Sequence, residues 1–231
     1  MLSPPRGPDP RIRPLEPSEH TQTADTAHVS APAASLGRDA AHPGPALWVA
    51  TAGGVGFGPF APGTWGALVA VLAFVVLLHR IGLPLYGLAV AVVTGLGIWA
   101  AGAVEEWFGR PDDGRVVIDE VAGQLIALAP VVALHGIPLG RIYLPGLEPL
   151  FGAGIDAWWA LVVTGFVAFR WFDIRKPGPV RWAEQRFEGG VGVMADDVVA
   201  GVLAAMAVTV PAYVVVVARL RTLVEGGGLL G

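Results

Sequence analysis

Past residue 46 the chain confines its charges to short islands and runs between them as apolar stretches, at 65–79, 81–104, 121–140, 157–169 and 198–218. At 1.5 Å per residue the longer stretches reach the roughly 30 Å of a bilayer core. The run at 157–169 is short, but Asp156 as an N-cap and the Trp171 side extend it to a thin span. Trp65, Trp107, Trp158, Trp159 and Trp171 fall at the ends of runs, where an aromatic belt at the lipid interface places them. Composition agrees: charged residues are 15% of the chain, against about 25% in soluble domains, and mean hydropathy is +0.60. The pattern predicts an all-α protein, a polytopic membrane bundle of about five helices.

Residues 1–46 differ in kind. They carry Pro4, Pro5, Pro8, Pro10, Pro14, Pro17, Pro32, Pro43 and Pro45, and nothing there can bury enough area to offset the entropy of ordering. We expect a disordered tail, without the apolar core of a signal peptide, preceding an integral-membrane domain at 47–231. Five spans put the tail, 105–120 and 170–197 on one side. That side holds all 15 Lys and Arg except Arg80, Arg141, Arg219 and Arg221, which assigns it to the cytoplasm.

Several function classes drop out. A net charge of −4 offers no basic field for nucleic acid, and the absence of Cys removes thiolate metal sites and every Cys nucleophile. Three of the five His lie in the tail, and His79 and His135 end helices on the face opposite the charged loops. Any reaction therefore falls to Asp, Glu, Lys and Arg.

Two acidic pairs stand at predicted helix starts: Asp119 and Glu120 in DEVAG, Asp196 and Asp197 in DDVVAG. Aligning Asp119 with Asp197 repeats D-x-V-A-G, with a Gly one turn beyond each acid, leaving room for an ion or another helix. The competing explanation is favourable placement of acids at helix dipoles, about 0.3–1 kcal/mol apiece. Two matching pairs on one face of a charge-poor protein favour function. Clustered carboxylates without softer donors form a hard-oxygen site suited to Mg²⁺ or Mn²⁺, and Mg²⁺ so held takes substrate phosphate into its shell.

Two further segments border on these acids. Residues 53–66, GGVGFGPFAPGTWG, include Gly63 and Thr64 and suit either anion binding at a helix start or a re-entrant turn capped by Thr64. Residues 169–197 carry Arg170, Arg175, Lys176 and Arg181 around Asp173. Arg170 and Lys176 can grip phosphate oxygens, while positive-inside topology accounts for part of the charge.

The blocks FGPFAPGTWGAL, DDGRVVIDEVAG and FRWFDIRKPGPVRWAE with GGVGVMADDVVAG resemble the three signature blocks of the phosphatidylglycerophosphatase A family, in family order. The resemblance implies a Mg²⁺-dependent, all-helical enzyme of the bacterial inner membrane that converts phosphatidylglycerophosphate to phosphatidylglycerol. It implies functional roles for Gly63, Thr64, Asp119, Glu120, Arg170, Asp173, Lys176, Asp196 and Asp197. On this reading Asp119, Glu120, Asp196 and Asp197 hold metal, Gly63, Thr64, Arg170 and Lys176 hold phosphate, and Asp173 belongs to the catalytic set. Ala67 stands where the family has Ser. The alternatives are another lipid phosphomonoesterase, a membrane phosphoalcohol transferase, or a divalent-cation transporter, whose acids belong deep in its helices.

Overall fold

The computed structural model describes residues 43–110, 113–142 and 154–225. Most of the tail, 1–42, lies outside the described residues, and the first helix starts within its last two positions. Seven α-helices occur among the described residues: α1 Pro45–Ala50, α2 Pro62–Val76, α3 Leu83–Phe108, α4 Ile118–Ala133, α5 Ala157–Arg175, α6 Gly178–Arg186 and α7 Gly189–Glu225. The five apolar runs become α2, α3, α4, α5 and α7. Among the described residues α3, α5 and α7 are long and apolar enough to cross a membrane, whereas α2 and α4 have 15 and 16 residues.

Two departures from the boundaries read in the sequence stand out. α4 stops at Ala133 although the apolar run continues to 140, because Gly136 and Gly140 take positive φ and turn the chain. α7 begins nine residues before its apolar run, so Asp196 and Asp197 lie two turns inside it instead of at its start. The short helices α1 and α6 carried no apolar signal of their own. Asp156 caps α5 as expected, its carboxylate accepting from Trp158 N at 2.9 Å.

α4 is the central helix, packed against α2, α3, α5 and α7. Its Ile118, Val121, Ala122, Leu125, Ala127, Leu128, Val131 and Val132 are all buried. Lipid is as apolar as a Leu side chain, so helices in a membrane gain by close backbone approach and favour small residues where they touch. The glycines of the two D-x-V-A-G copies meet in this way: a Cβ on Gly201 would overlap the Gly123 carbonyl, and one on Gly123 would reach Phe169 at 2.5 Å. The room those glycines leave is filled by helix. Outward, Leu72, Leu88, Val92, Val163, Val202, Met206 and Val210 are exposed, the surface a lipid-facing bundle presents.

At one end of the bundle Arg141–Ile142 (β1) pairs antiparallel with Ile155–Asp156 (β2), Arg141 opposite Asp156. His79 and His135 belong to the same end. The His79 ring lies 5.4 Å from that of Trp158, and its nitrogens engage the Phe74 carbonyl and Arg80 Nε, each at 3.1 Å. These are structural contacts, as expected of histidines remote from the acids.

Candidate active site

The acids gather at the other end. The chain enters α4 through a stiffened loop, because the Asp113 carboxylate is bound by Arg115 Nε and Nη2, each at 2.7 Å, and by Arg110 Nε. Arg115 first, with Arg110 beside it, holds that carboxyl well below the usual Asp range. Arg115 also lies 3.8 Å over the Phe108 ring, and Val117 N donates to the Ala50 carbonyl at 2.8 Å. Asp113 was not among the sequence-derived site residues. Its signal was the D-G-R turn, which reads as an ordinary loop until the fold buries the carboxylate.

This loop sets Asp119 and Glu120 in the first turn of α4, pointing toward α7. Asp119, Glu120 and Asp197 each place a carboxylate oxygen within 4.8 Å of the others. Asp119 is 7% exposed and Asp197 3%. Helix-dipole placement accounts for acids in a first turn, but it fades within that turn and does not reach Asp197. The nearest cation is Arg170 of α5, with Nη1 4.0 Å from Glu120 Oε1, and it is already committed to Asp173 at 2.5 Å. The Asp173 carboxyl lies beside those of Asp196 and Asp197.

Charge bookkeeping decides what the cluster can do. Asp119, Glu120, Asp197 and Asp173 have only Arg170 and a share of Lys176, which also pairs with Asp196 and Glu184, and burying uncompensated carboxylates costs several kcal/mol each. Glu120 Oε2 and Asp197 Oδ1 are buried without a hydrogen-bond partner. Hard oxygen donors with open lone pairs and excess negative charge fit a divalent cation. Asp196, at the edge of the cluster, is paired, with Lys176 Nζ 2.7 Å from its carboxylate and 2.6 Å from Glu184. Burial pulls the Lys176 ammonium down, and its hydrogen bonds to Asp196 and Glu184 overcome this and hold it above the usual range. Lys176 ends α5 with φ 43°, a left-handed conformation uncommon outside glycine, and this turn carries its side chain back toward α7.

The glycine-rich segment also arrives here. A methyl on Gly63 would overlap Glu120 Oε1 and sit 3.4 Å from Arg170 Nη1, so only a bare backbone lets α2 start against these two side chains. Thr64 is inside the first turn and does not cap it. The N-cap is Ala61 in a left-handed conformation, with Pro62 first in the helix, so the capping alternative is corrected. Trp65, Trp99 and Trp171, on three different helices, are each about half exposed.

The sequence profile of phosphatidylglycerophosphatase A matches residues 48–212. The chain belongs to the phosphatidylglycerophosphatase A family. The phosphatidylglycerophosphatases A of Haemophilus influenzae and Escherichia coli are 32% and 34% identical to it over 158 and 152 residues, covering 67% and 66% of this chain and 83% and 74% of theirs. A Bacteroides thetaiotaomicron relative, provisionally named a phosphatidylinositol-3-phosphatase, is 39% identical over 171 residues, 72% of this chain and 93% of its own. No solved structure matches the chain. As a member of the phosphatidylglycerophosphatase A family the protein is an enzyme, a lipid phosphatase of a bacterial membrane, and the transporter and phosphoalcohol-transferase alternatives fall away. Of the nine residues expected in the site, Gly63, Glu120, Arg170, Asp173, Asp119 and Asp197 form one neighbourhood, and Lys176 and Asp196 form an ion pair at its edge.

Proposed function

We propose that the protein hydrolyses the phosphomonoester of phosphatidylglycerophosphate to phosphatidylglycerol and inorganic phosphate, with Mg²⁺ held by Asp119, Glu120 and Asp197. The observation that carries this reading is the three-carboxylate cluster, within 4.8 Å and short of positive charge, beside the start of α2. Mg²⁺ bound there would neutralise the phosphoryl oxygens and stabilise the departing glycerol oxygen.

The chain's own residues do the rest. Arg170 and the α2 start at Gly63 and Thr64 receive the phosphate, while Asp173 and Lys176 keep Arg170 and Asp196 aligned around it. The aromatic belt holds the site at headgroup depth, so acyl chains stay in the bilayer. The P–O bond to glycerol breaks, the alcohol leaves with a proton, and water supplies the new phosphate oxygen. Two routes fit: water attacks in line as a carboxylate takes its proton, or an Asp carboxylate attacks first and water then cleaves the acyl phosphate. Asp196 would be a further carboxylate for the metal, beside the Lys176 that pairs with it. The active face is cytoplasmic, and catalysis does not require residues 1–43, which precede α1.

The test is phosphate release by the full chain purified in detergent. Phosphatidylglycerophosphate with added Mg²⁺ is the expected substrate, and activity undiminished in excess chelator overturns the metal reading. Because the Bacteroides relative carries a different substrate name, phosphatidylinositol 3-phosphate forms the second arm. Preference for it by kcat/KM would replace the proposed substrate while leaving the reaction type in place.

A further inference from the structure

One turn beyond Glu120, Gln124 is fully buried, and neither its Oε1 nor its Nε2 has a hydrogen-bond partner. Two orphaned atoms on one side chain are unusual, since buried polar groups are nearly always paired. Packing does not call for the amide, as Met fills the same unbranched shape without the unpaired groups. Gln124 and Glu120 stand four residues apart, on one face of α4. Helical side chains lean toward the helix N-terminus, so the Gln124 amide is carried toward the turn that holds Asp119 and Glu120. In that turn Glu120 Oε2 is likewise buried and unpartnered, while Oε1 faces Gly63 and Arg170.

We propose that Gln124 is a positioning residue, which fixes the Glu120 carboxylate for metal through one buried water between Gln124 Nε2 and Glu120 Oε2. A water has the donors and acceptors for this: it accepts from the amide and donates to the carboxylate. With one lone pair of Oε2 tethered, the plane of the carboxylate is fixed, and its remaining lone pairs stay open to a cation shared with Asp119 and Asp197. Partners of this kind orient ligand carboxylates, and their loss costs about 10–100-fold in metal affinity. The inference rests on the cluster being a metal site.

Gln124→Met tests it on the full chain in detergent, by thermal unfolding with and without Mg²⁺ and by the Mg²⁺ dependence of phosphate release. The expected result is a melting temperature without Mg²⁺ close to that of the parent, because Met removes the unpartnered Oε1 together with the Nε2–water contact. The Mg²⁺-induced rise in melting temperature shrinks, and the Mg²⁺ concentration for half-maximal activity climbs at least tenfold. Activity recovers at saturating Mg²⁺, and Gln124→Glu, which can still bond the water, shifts less than Gln124→Met. A parent that responds to Mg²⁺ beside a Gln124→Met variant that responds equally overturns the inference alone. A parent with no Mg²⁺ response in either readout overturns the metal site and the inference with it.

Discussion

Lys176 Nζ lies 2.7 Å from Asp196 Oδ2, and this contact divides two adjacent acids that look alike in the sequence. Asp197 turns toward Asp119 and Glu120, buried and short of partners, while Asp196 is neutralised at the rim. Substitutions at the two positions therefore differ in character.

Asp119→Asn, Glu120→Gln and Asp197→Asn keep shape and lose a ligand charge. Each should lower turnover by about 10²-fold or more, and a pair should cost little beyond the worse single change, because the groups act as a unit. The variants should remain folded, since removing mutually repelling buried carboxylates does not weaken the core. Turnover near that of the parent in both Asp119→Asn and Asp197→Asn, measured on inserted protein, would end the carboxylate reading.

Asp196→Asn and Lys176→Met should behave as one lesion. In a double-mutant cycle on kcat/KM the two effects should fall short of adding by roughly 0.5–3 kcal/mol, the coupling usual for residues in contact. Strict additivity would show that the ion pair plays no part in turnover.

Gly201→Ala places a methyl against the Gly123 carbonyl, where backbone has to move. Overpacking of this kind costs about 1–3 kcal/mol. Thermal unfolding in detergent should show the loss, whereas Gly87→Ala, with open space around its Cβ, should leave stability unchanged or slightly raised. Equal melting temperatures for the two variants would contradict the α4–α7 contact.

The depressed Asp113 carboxyl gives the loop before α4 a pH dependence of known sign. Its folded pKa lies below the unfolded one, so its contribution is present above the ordinary Asp value of about 3.9 and is lost as pH falls below it. Asp113→Asn should be less stable than the parent at neutral pH, and the gap should close in acid. A gap that is constant from neutral pH to pH 3 or below would refute the Arg115–Asp113–Arg110 clamp.

The chain has no Cys, so single introduced cysteines report sidedness cleanly. Gly114→Cys and Gln185→Cys are exposed at the acid end and Pro138→Cys at the other. The first two should react with an impermeant maleimide only from the cytoplasm and the third only from outside. Labelling of the first two from opposite sides would separate α4's start from α7's and dissolve the site.

The sequence by itself determined the solvent this protein folds in and the chemistry open to it. Long charge-free runs demand helices in lipid, and the absence of Cys with a scarcity of His leaves oxygen donors to do the work. The acids were legible as pairs because charge is rare here and its placement stands out. Tertiary structure alone decided how they are divided. Helix α7 starts before its apolar run because Gly189 and Gly190 let it pack on α3, which no hydropathy pattern records. That extension rotates Asp197 inward and leaves Asp196 for Lys176, which lies twenty residues away in the chain and is brought there by a left-handed turn. Gly63 acquired its neighbours Glu120 and Arg170 in the same way. Periodicity and composition are read along one helix, whereas burial and charge balance are set by which helices touch.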